Sequence, residues 1–394
     1  MDFSIFHLLS LLPTWWIPVT IHSCISDFRR IHMKKSWVAQ AFTLTVLLLF
    51  IANMVAPIRV FSKFENRYLA QLPPLNVNQI ISNQFSINYE TYVNDQFFIR
   101  DTWISTKALI ERLMMKQENN GIYFGKDGYL FDKMIQYPDQ LAINQKYMNE
   151  FLALYPQLPI SVMIPTNSAS LLLDKLPNHA PQLNQYTWLK ENASDWPWID
   201  TFSIFESSKK PVYYKTDHHW TLYGAYLAYS EWVSSIGKTP LKWEEFDVKN
   251  AEEFLGTYYS KGKPSVFQFD TLSYINPSIV SYSFANTTVN TLIDESKLSQ
   301  FDKYSAFLYG NPGFAQIITN ESEQPSKVLI IKDSYANSFI PFLTQHFDQI
   351  DIVDLRGYSG SIKSLVSSQD YDQILILSSF AQFSSDSNFA KLRY

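Results

Sequence analysis

A chain of 394 residues is long enough for two or three domains and for a core that needs no disulfides. Its net charge of −5, with only 18% charged residues, leaves no basic surplus for nucleic acid. Its 11 glycines form neither GxGxxG nor GxxxxGK(S/T), and one cysteine, Cys24, excludes an intrachain disulfide and a cysteine-based metal site.

An apolar stretch from Phe3 to Ile25, broken by Pro13 and Pro18, opens the chain. It reads as a second span, an interfacial segment or an upstream over-translation. The last is preferred, because Met33-Lys34-Lys35 resembles a normal signal-anchor start. The run from Trp37 to Ala56 has no charge in any position and, at ~1.5 Å per residue, crosses about 30 Å of hydrocarbon. Arg29, Arg30, Lys34 and Lys35 precede it, while only Arg59 and Lys63 follow closely. The positive-inside rule therefore predicts a single-pass cell-membrane protein, with residues 1–36 cytoplasmic, 37–56 as the anchor and the rest extracellular. Cleavage as a signal peptide competes with this, but the run exceeds the ~7–15 residues of a signal h-region.

Residues 57–135 read as a membrane-proximal part. It comprises a connector from Phe61 to Pro74, a helix over Asn94–Gln117 and a hairpin from Ile122 to Phe131 turning at Asp127-Gly128. Residues 136–394 read as the main domain. Four short apolar runs, Ile160–Pro165, Val328–Lys332, Ile350–Leu355 and Ile374–Leu377, have the look of buried parallel strands. Helical patterns over Trp220–Ile236 and Tyr335–Phe347 lie between them, which predicts a layered α/β domain. The polar, aromatic stretch from Leu241 to Gln324 reads as an insertion of short strands and loops without a convincing helix.

Two segments carry the chemistry-bearing residues. Lys215-Thr-Asp-His-His-Trp-Thr221 follows the short run Val212–Tyr214 and places a carboxylate and two imidazoles at the end of an expected strand. An imidazole held by Asp217 would be fixed in one tautomer as a base, and spacing alone does not choose between His218 and His219. The competing reading is a helix cap by Thr216 or Asp217. In Lys327-Val-Leu-Ile-Ile-Lys-Asp-Ser-Tyr-Ala-Asn-Ser338, a strand ends at Lys332-Asp333-Ser334 and a helix follows. Ser334 at such a turn is either a nucleophile beside helix N–H groups or a plain N-cap. A metal held by Asp217, His218 and His219 is disfavoured, because adjacent residues rarely aim both rings at one ion.

TDHHWT, IKDSYANSFIPFL and DLRGY together resemble the DHHW protein family of Gram-positive bacteria. That family is related to the alginate O-acetyltransferases of the AlgJ and AlgX type, with SGNH-hydrolase-like folds. The resemblance runs from about Phe61, through NGIYFGKDGYLF, to Leu355-Arg356. It implies an SGNH-hydrolase-like three-layer α/β/α fold with a parallel sheet, a reversed motif order and a β-rich insertion at about 241–324. It assigns Asp217 as orienting acid, His219 as base and Ser334 as nucleophile, with His218 in second rank. Gly310, Asn311 and Asn167 are its candidates for the oxyanion hole. Arg356 either faces the site or makes a structural ion pair.

The resemblance implies an extracytoplasmic O-acetyltransferase that works through an acetyl-serine and acts on a cell-surface or secreted polysaccharide, with no cofactor. An MBOAT-type membrane acyltransferase is the implied donor partner. The rival readings are a polysaccharide acetylesterase with the same triad and a non-catalytic glycan-binding scaffold.

Overall fold

The computed structural model describes residues 37–62, 67–264 and 266–394. The apolar stretch Phe3–Ile25 and Met33 lie outside them. Two units separate by their internal contacts, Met1–Val60 with Leu69–Arg100 and Phe61–Tyr68 with Asp101–Tyr394.

In the first unit the uncharged run folds as one helix, Trp37–Val55, with no buried residue. By length and composition it is able to cross a membrane. The chain after it is held by the helix Gln84–Gln96. Gln96 accepts from Arg59 N–H at 2.9 Å and donates to the carbonyls of Arg59 and Ala70 at 2.8 and 3.0 Å. Asp95 accepts from Ala70 N–H at 2.8 Å. The long helix expected over Asn94–Gln117 is instead two helices, Gln84–Gln96 and Arg100–Leu113. It breaks because Phe98 N–H donates to Asn53 Oδ1 at 2.6 Å and Ile99 takes a left-handed φ of 48°.

The second unit begins with the two-residue strands β1 (Phe61–Ser62) and β2 (Arg67–Tyr68), an antiparallel pair. The expected hairpin is present as β4 (Ile122–Phe124) and β5 (Leu130–Asp132), with β3 (Glu118–Asn119) added as a third strand. Asp127 and Gly128 have positive φ at its turn, 55° and 81°.

The main sheet starts with β6 (Ile160–Met163). After the separate antiparallel pair β7 (Lys249–Phe254) and β8 (Asp270–Tyr274) come β9 (Ser281–Phe284), β10 (Thr287–Val289) and β11 (Phe314–Ile318). Then follow β12 (Lys327–Lys332), β13 (Gln349–Asp354) and β14 (Gln373–Leu377). Their order across the sheet is β10-β9-β11-β13-β12-β14-β6. The four strands predicted to be parallel pair in parallel, as β13-β12-β14-β6. The sheet as a whole is mixed, because β9, β10 and β11 from the segment read as an insertion extend it antiparallel. That segment also contains the short helices Thr257–Gly262 and Glu295–Leu298, against expectation.

Strand alternation builds a core on each face. Val328, Ile330, Ile350 and Ile352 pack with Phe339, Ile340 and Leu343 of the helix Ala336–Leu343 and with Ala225, Tyr229 and Trp232 of the helix Leu222–Ser235. Leu329, Ile331, Ile374 and Ile376 face the other way, onto Met148 and Phe151 of Gln140–Leu154 and Phe380 and Phe383 of Phe380–Ser385. Each fully buried Leu, Ile or Phe here contributes roughly 1.5–3 kcal/mol. From β12 the chain crosses to β13 on one side and then back to β14 on the other. This reversal leaves a crevice at the carboxyl end of β12, where open α/β sheets place their ligands.

Candidate active site

The crevice holds Ser334. β12 ends at Lys332 and the helix Ala336–Leu343 follows after three residues, so Ser334 sits on the turn between them, half-buried. The buried carboxylate of Asp333 pins this turn, accepting from Tyr335 N–H at 2.9 Å and from Ser379 N–H and Oγ at 2.8 and 2.7 Å. The helix has Tyr335 at its N-cap position and no side-chain capping bond, so Ser334 does not act as a cap. The Ser334 side chain contacts His219 instead.

His219 comes from a tight loop rather than the end of a strand. Tyr213 and Trp220 form an isolated antiparallel bridge, and residues 214–219 loop out between them. Asp270 on β8 gathers this loop, accepting from Lys215 N–H at 2.9 Å and from Thr216 N–H and Oγ1 at 2.8 and 2.6 Å. The hairpin adds Leu130 N–H, donated to the Lys215 carbonyl at 2.8 Å. The cap of the helix Leu222–Ser235 is Thr221, so neither Thr216 nor Asp217 caps that helix. Trp220 joins the two segments, its indole N–H lying 3.0 Å from both the Tyr335 carbonyl and Ser338 Oγ.

The three residues Asp217, His219 and Ser334 form a continuous chain. Asp217 Oδ1 is 2.6 Å from His219 Nδ1, and His219 Nε2 is 2.8 Å from Ser334 Oγ. A carboxylate only accepts, so the proton sits on Nδ1 and the Nε2 lone pair faces the serine hydroxyl. Burial alone would raise the Asp217 carboxyl. The imidazoles of His218 and His219 and donation from His219 and Thr257 outweigh it and hold the group well below the usual carboxylate range. His219 is 4% exposed, and the ring of Tyr304 stacks on it at 3.7 Å, tilted by 7°. Tyr304 also donates to the Ser334 carbonyl at 3.1 Å.

Asp217, His219 and Ser334 line a cleft of about 190 Å³, walled by Gly256, Phe301, Tyr304, Asn311 and Asn337. Asn311 Oδ1 accepts from Lys332 Nζ at 2.7 Å and from Asn337 Nδ2 at 3.1 Å, so its own amide N–H₂ has no partner among the described residues. Of the other oxyanion candidates, Gly310 offers only its carbonyl, to Asn337 Nδ2 at 3.4 Å. Asn167 is the cap of the helix Ser168–Leu171 and does not line the cleft. Arg356 does not line it either. Its Nε is 2.8 Å from Asp354 Oδ1, which is the structural ion pair.

His218 borders the cleft with its Nδ1 3.7 Å from Asp217 Oδ1. Burial and then the neighbouring His219 lower it to about 4. Asp217, His218 and His219 bring one ligand atom each within 4.8 Å of the others. A metal there would compete for nitrogens that Asp217 and Ser334 already engage on His219.

Sequence reading missed Tyr304, Gly256 and the role of Lys332. Only Lys332 carried a signal, since a lysine ending an otherwise apolar strand is rarely left buried without a partner. The other two come from a segment with no motif.

The model of the DHHW protein family matches residues 186–353, a span holding Asp217, His219 and Ser334, and this bears out the resemblance read from the sequence. No curated protein matches the chain. A DHHW family protein from Eubacterium siraeum is similar in structure, with 19% identity, TM-score 0.59, and coverage of 70% of this chain and 96% of that one. Bacillus cereus PatB1 is similar too, at 20% identity, TM-score 0.56, 67% of this chain and 97% of that one, and has also been solved with a sulfonyl adduct. The O-acetyltransferase domain of Pseudomonas putida AlgJ is matched over 69% of this chain and 98% of that one at 15% identity, with a TM-score of 0.42.

Proposed function

We propose that this protein is a membrane-anchored O-acetyltransferase that works through an acetyl ester of Ser334. The observation that carries this reading is the Asp217–His219–Ser334 chain of contacts in an open cleft. Ser334 Oγ attacks the acetyl carbonyl of a donor while His219 Nε2 takes the hydroxyl proton and then passes it to the leaving group. An acceptor hydroxyl gives its proton to Nε2 and attacks the acetyl-serine, and Ser334 leaves with that proton. Asp217 holds the tautomer and stabilises the imidazolium that forms within each of the two steps.

The negative charge on the acetyl oxygen is met in this reading by the Ser334 N–H and the Asn311 amide N–H bonds, since both residues line the cleft. In this reading the site is SGNH-like, with acid and base before the nucleophile in the chain, the reverse of the ordinary SGNH order. The acceptor is a cell-surface or secreted polysaccharide. The helix Trp37–Val55 anchors the protein with the larger unit outside the cell, where an MBOAT-type membrane protein supplies the acetyl group.

The test is product analysis with the full chain in detergent, an activated acetyl ester and a polysaccharide acceptor. Acetyl recovered on sugar hydroxyls supports the transferase. Acetate alone, unaffected by acceptor, replaces it with an esterase.

A further inference from the structure

Lys332 closes β12 two residues before Ser334, and its side chain is 0% exposed. Its Nζ lies 2.7 Å from Asn311 Oδ1, 2.7 Å from Asn337 Oδ1 and 3.7 Å from Asp354 Oδ2. Asp354 is already shared with Arg356. Burying an ammonium beside a shared carboxylate is costly, and an apolar side chain would fill the same place at less cost. Its presence calls for a reason other than packing.

An ammonium donates and never accepts, so both asparagines must turn their oxygens toward it. Asn337 Nδ2 then points to Asn311 Oδ1 and the Gly310 carbonyl, at 3.1 and 3.4 Å. Asn311 Oδ1 is thereby held twice, and the Asn311 amide N–H bonds are the ones left for the cleft that Ser334 also lines. Without the ammonium, a half-turn of the carboxamide would bring its oxygen to the cleft, where it would repel a developing oxyanion.

We propose that Lys332 is a positioning residue for acyl transfer, locking the Asn311 carboxamide with its N–H bonds toward the acyl oxygen. This rests on the acetyl-serine reading above. Desolvation, opposed by Asp354, brings Lys332 down to about 8, with Arg356 and Asp333 as the other charges facing it. The lock is therefore firmest at neutral pH and weakens when the amine loses its proton, because the neutral amine keeps two N–H bonds but loses its charge and gains a lone pair that can accept.

The test follows acylation of the full chain in detergent by p-nitrophenyl acetate. Asn311→Ala lowers kcat about 10²- to 10³-fold, the usual loss for one oxyanion donor, with KM within about twofold. Lys332→Met gives a comparable loss, and the double variant is no worse than Asn311→Ala by more than about threefold. Losses that multiply would overturn the proposal, because Lys332 would then act independently of Asn311. A second measurement needs no lysine variant. Acylation by the native chain falls above pH about 8, and that fall is absent in Asn311→Ala, whereas the same falling limb in both would also overturn it. If the native chain never acetylates Ser334, this proposal falls with the acetyl-serine reading; acetylation with multiplying losses removes this proposal alone.

Discussion

His219 Nε2 meets Ser334 Oγ at 2.8 Å although 115 positions separate the two residues. Two tethers hold that approach. Trp220, next to His219, donates to Ser338 and to the Tyr335 carbonyl, and Tyr335 Oη donates back to the His218 carbonyl. His219 and Ser334 are thus placed by their immediate chain neighbours rather than by their own contact alone.

Asp217→Asn removes the acceptor that fixes the His219 tautomer while keeping the shape. Its kcat should fall about 10⁴-fold, as for other buried triad carboxylates. Steady-state kinetics with p-nitrophenyl acetate check this, and a loss below about tenfold would mean that Asp217 does not orient the base.

His218 is lowered from 6.5 to about 4 in the folded chain. Between those values the unfolded chain binds a proton that the folded chain does not, so stability falls as pH drops from about 6.5 to about 4. Asp217 is held ionised by its partners, so its stabilising contribution is present above the ordinary carboxylate pKa and is lost only as pH falls through its own lower value. Melting curves of the full chain should show a decline across the His218 window that is shallower in His218→Gln. Superimposable curves would rule out a neutral folded-state His218.

Gly256 lies against Asp217, where an added Cβ would meet Asp217 Oδ2 at 2.2 Å. Because the overlap includes Asp217 Cβ, also at 2.2 Å, swinging the carboxylate away does not relieve it. Gly256→Ala should cost about 1–3 kcal/mol of stability and move the orienting carboxylate, so kcat falls together with the melting temperature. Unchanged values of both would show that the loop yields freely.

Tyr304 stacks on His219 and hydrogen-bonds the Ser334 carbonyl. Tyr304→Phe keeps the stack and loses about 1 kcal/mol of hydrogen bonding, so activity should stay within about tenfold. Tyr304→Ala uncovers the imidazole and should lose considerably more. Equal losses in the two variants would assign the role to the hydroxyl rather than the ring.

The parallel half of the sheet was legible because fully buried strands such as Val328–Lys332 read as continuous apolar runs. The antiparallel half was not. Ser281–Phe284 and Phe314–Ile318 mix buried and part-exposed positions in a polar segment, so their place in the sheet depends on partners far along the chain. The residues that meet as Asp217, His219 and Ser334 were legible from local motifs, TDHHW and KDSYA. Arg356 was open from sequence because its ion pair with Asp354 and an approach to the site leave the same pattern. Tyr304 and Gly256 were invisible for a related reason. Their function is contact with His219 and Asp217 across the fold, and neither sits in a recurring spacing.

The acetyl-serine is tested most directly by intact-mass measurement of the full chain after brief exposure to an activated acetyl ester, followed by peptide mapping. A single acetyl group on Ser334, absent from Ser334→Ala and strongly slowed in His219→Ala, is the predicted result. An adduct on another residue, or one that persists in Ser334→Ala, would contradict the assignment of Ser334 as the nucleophile.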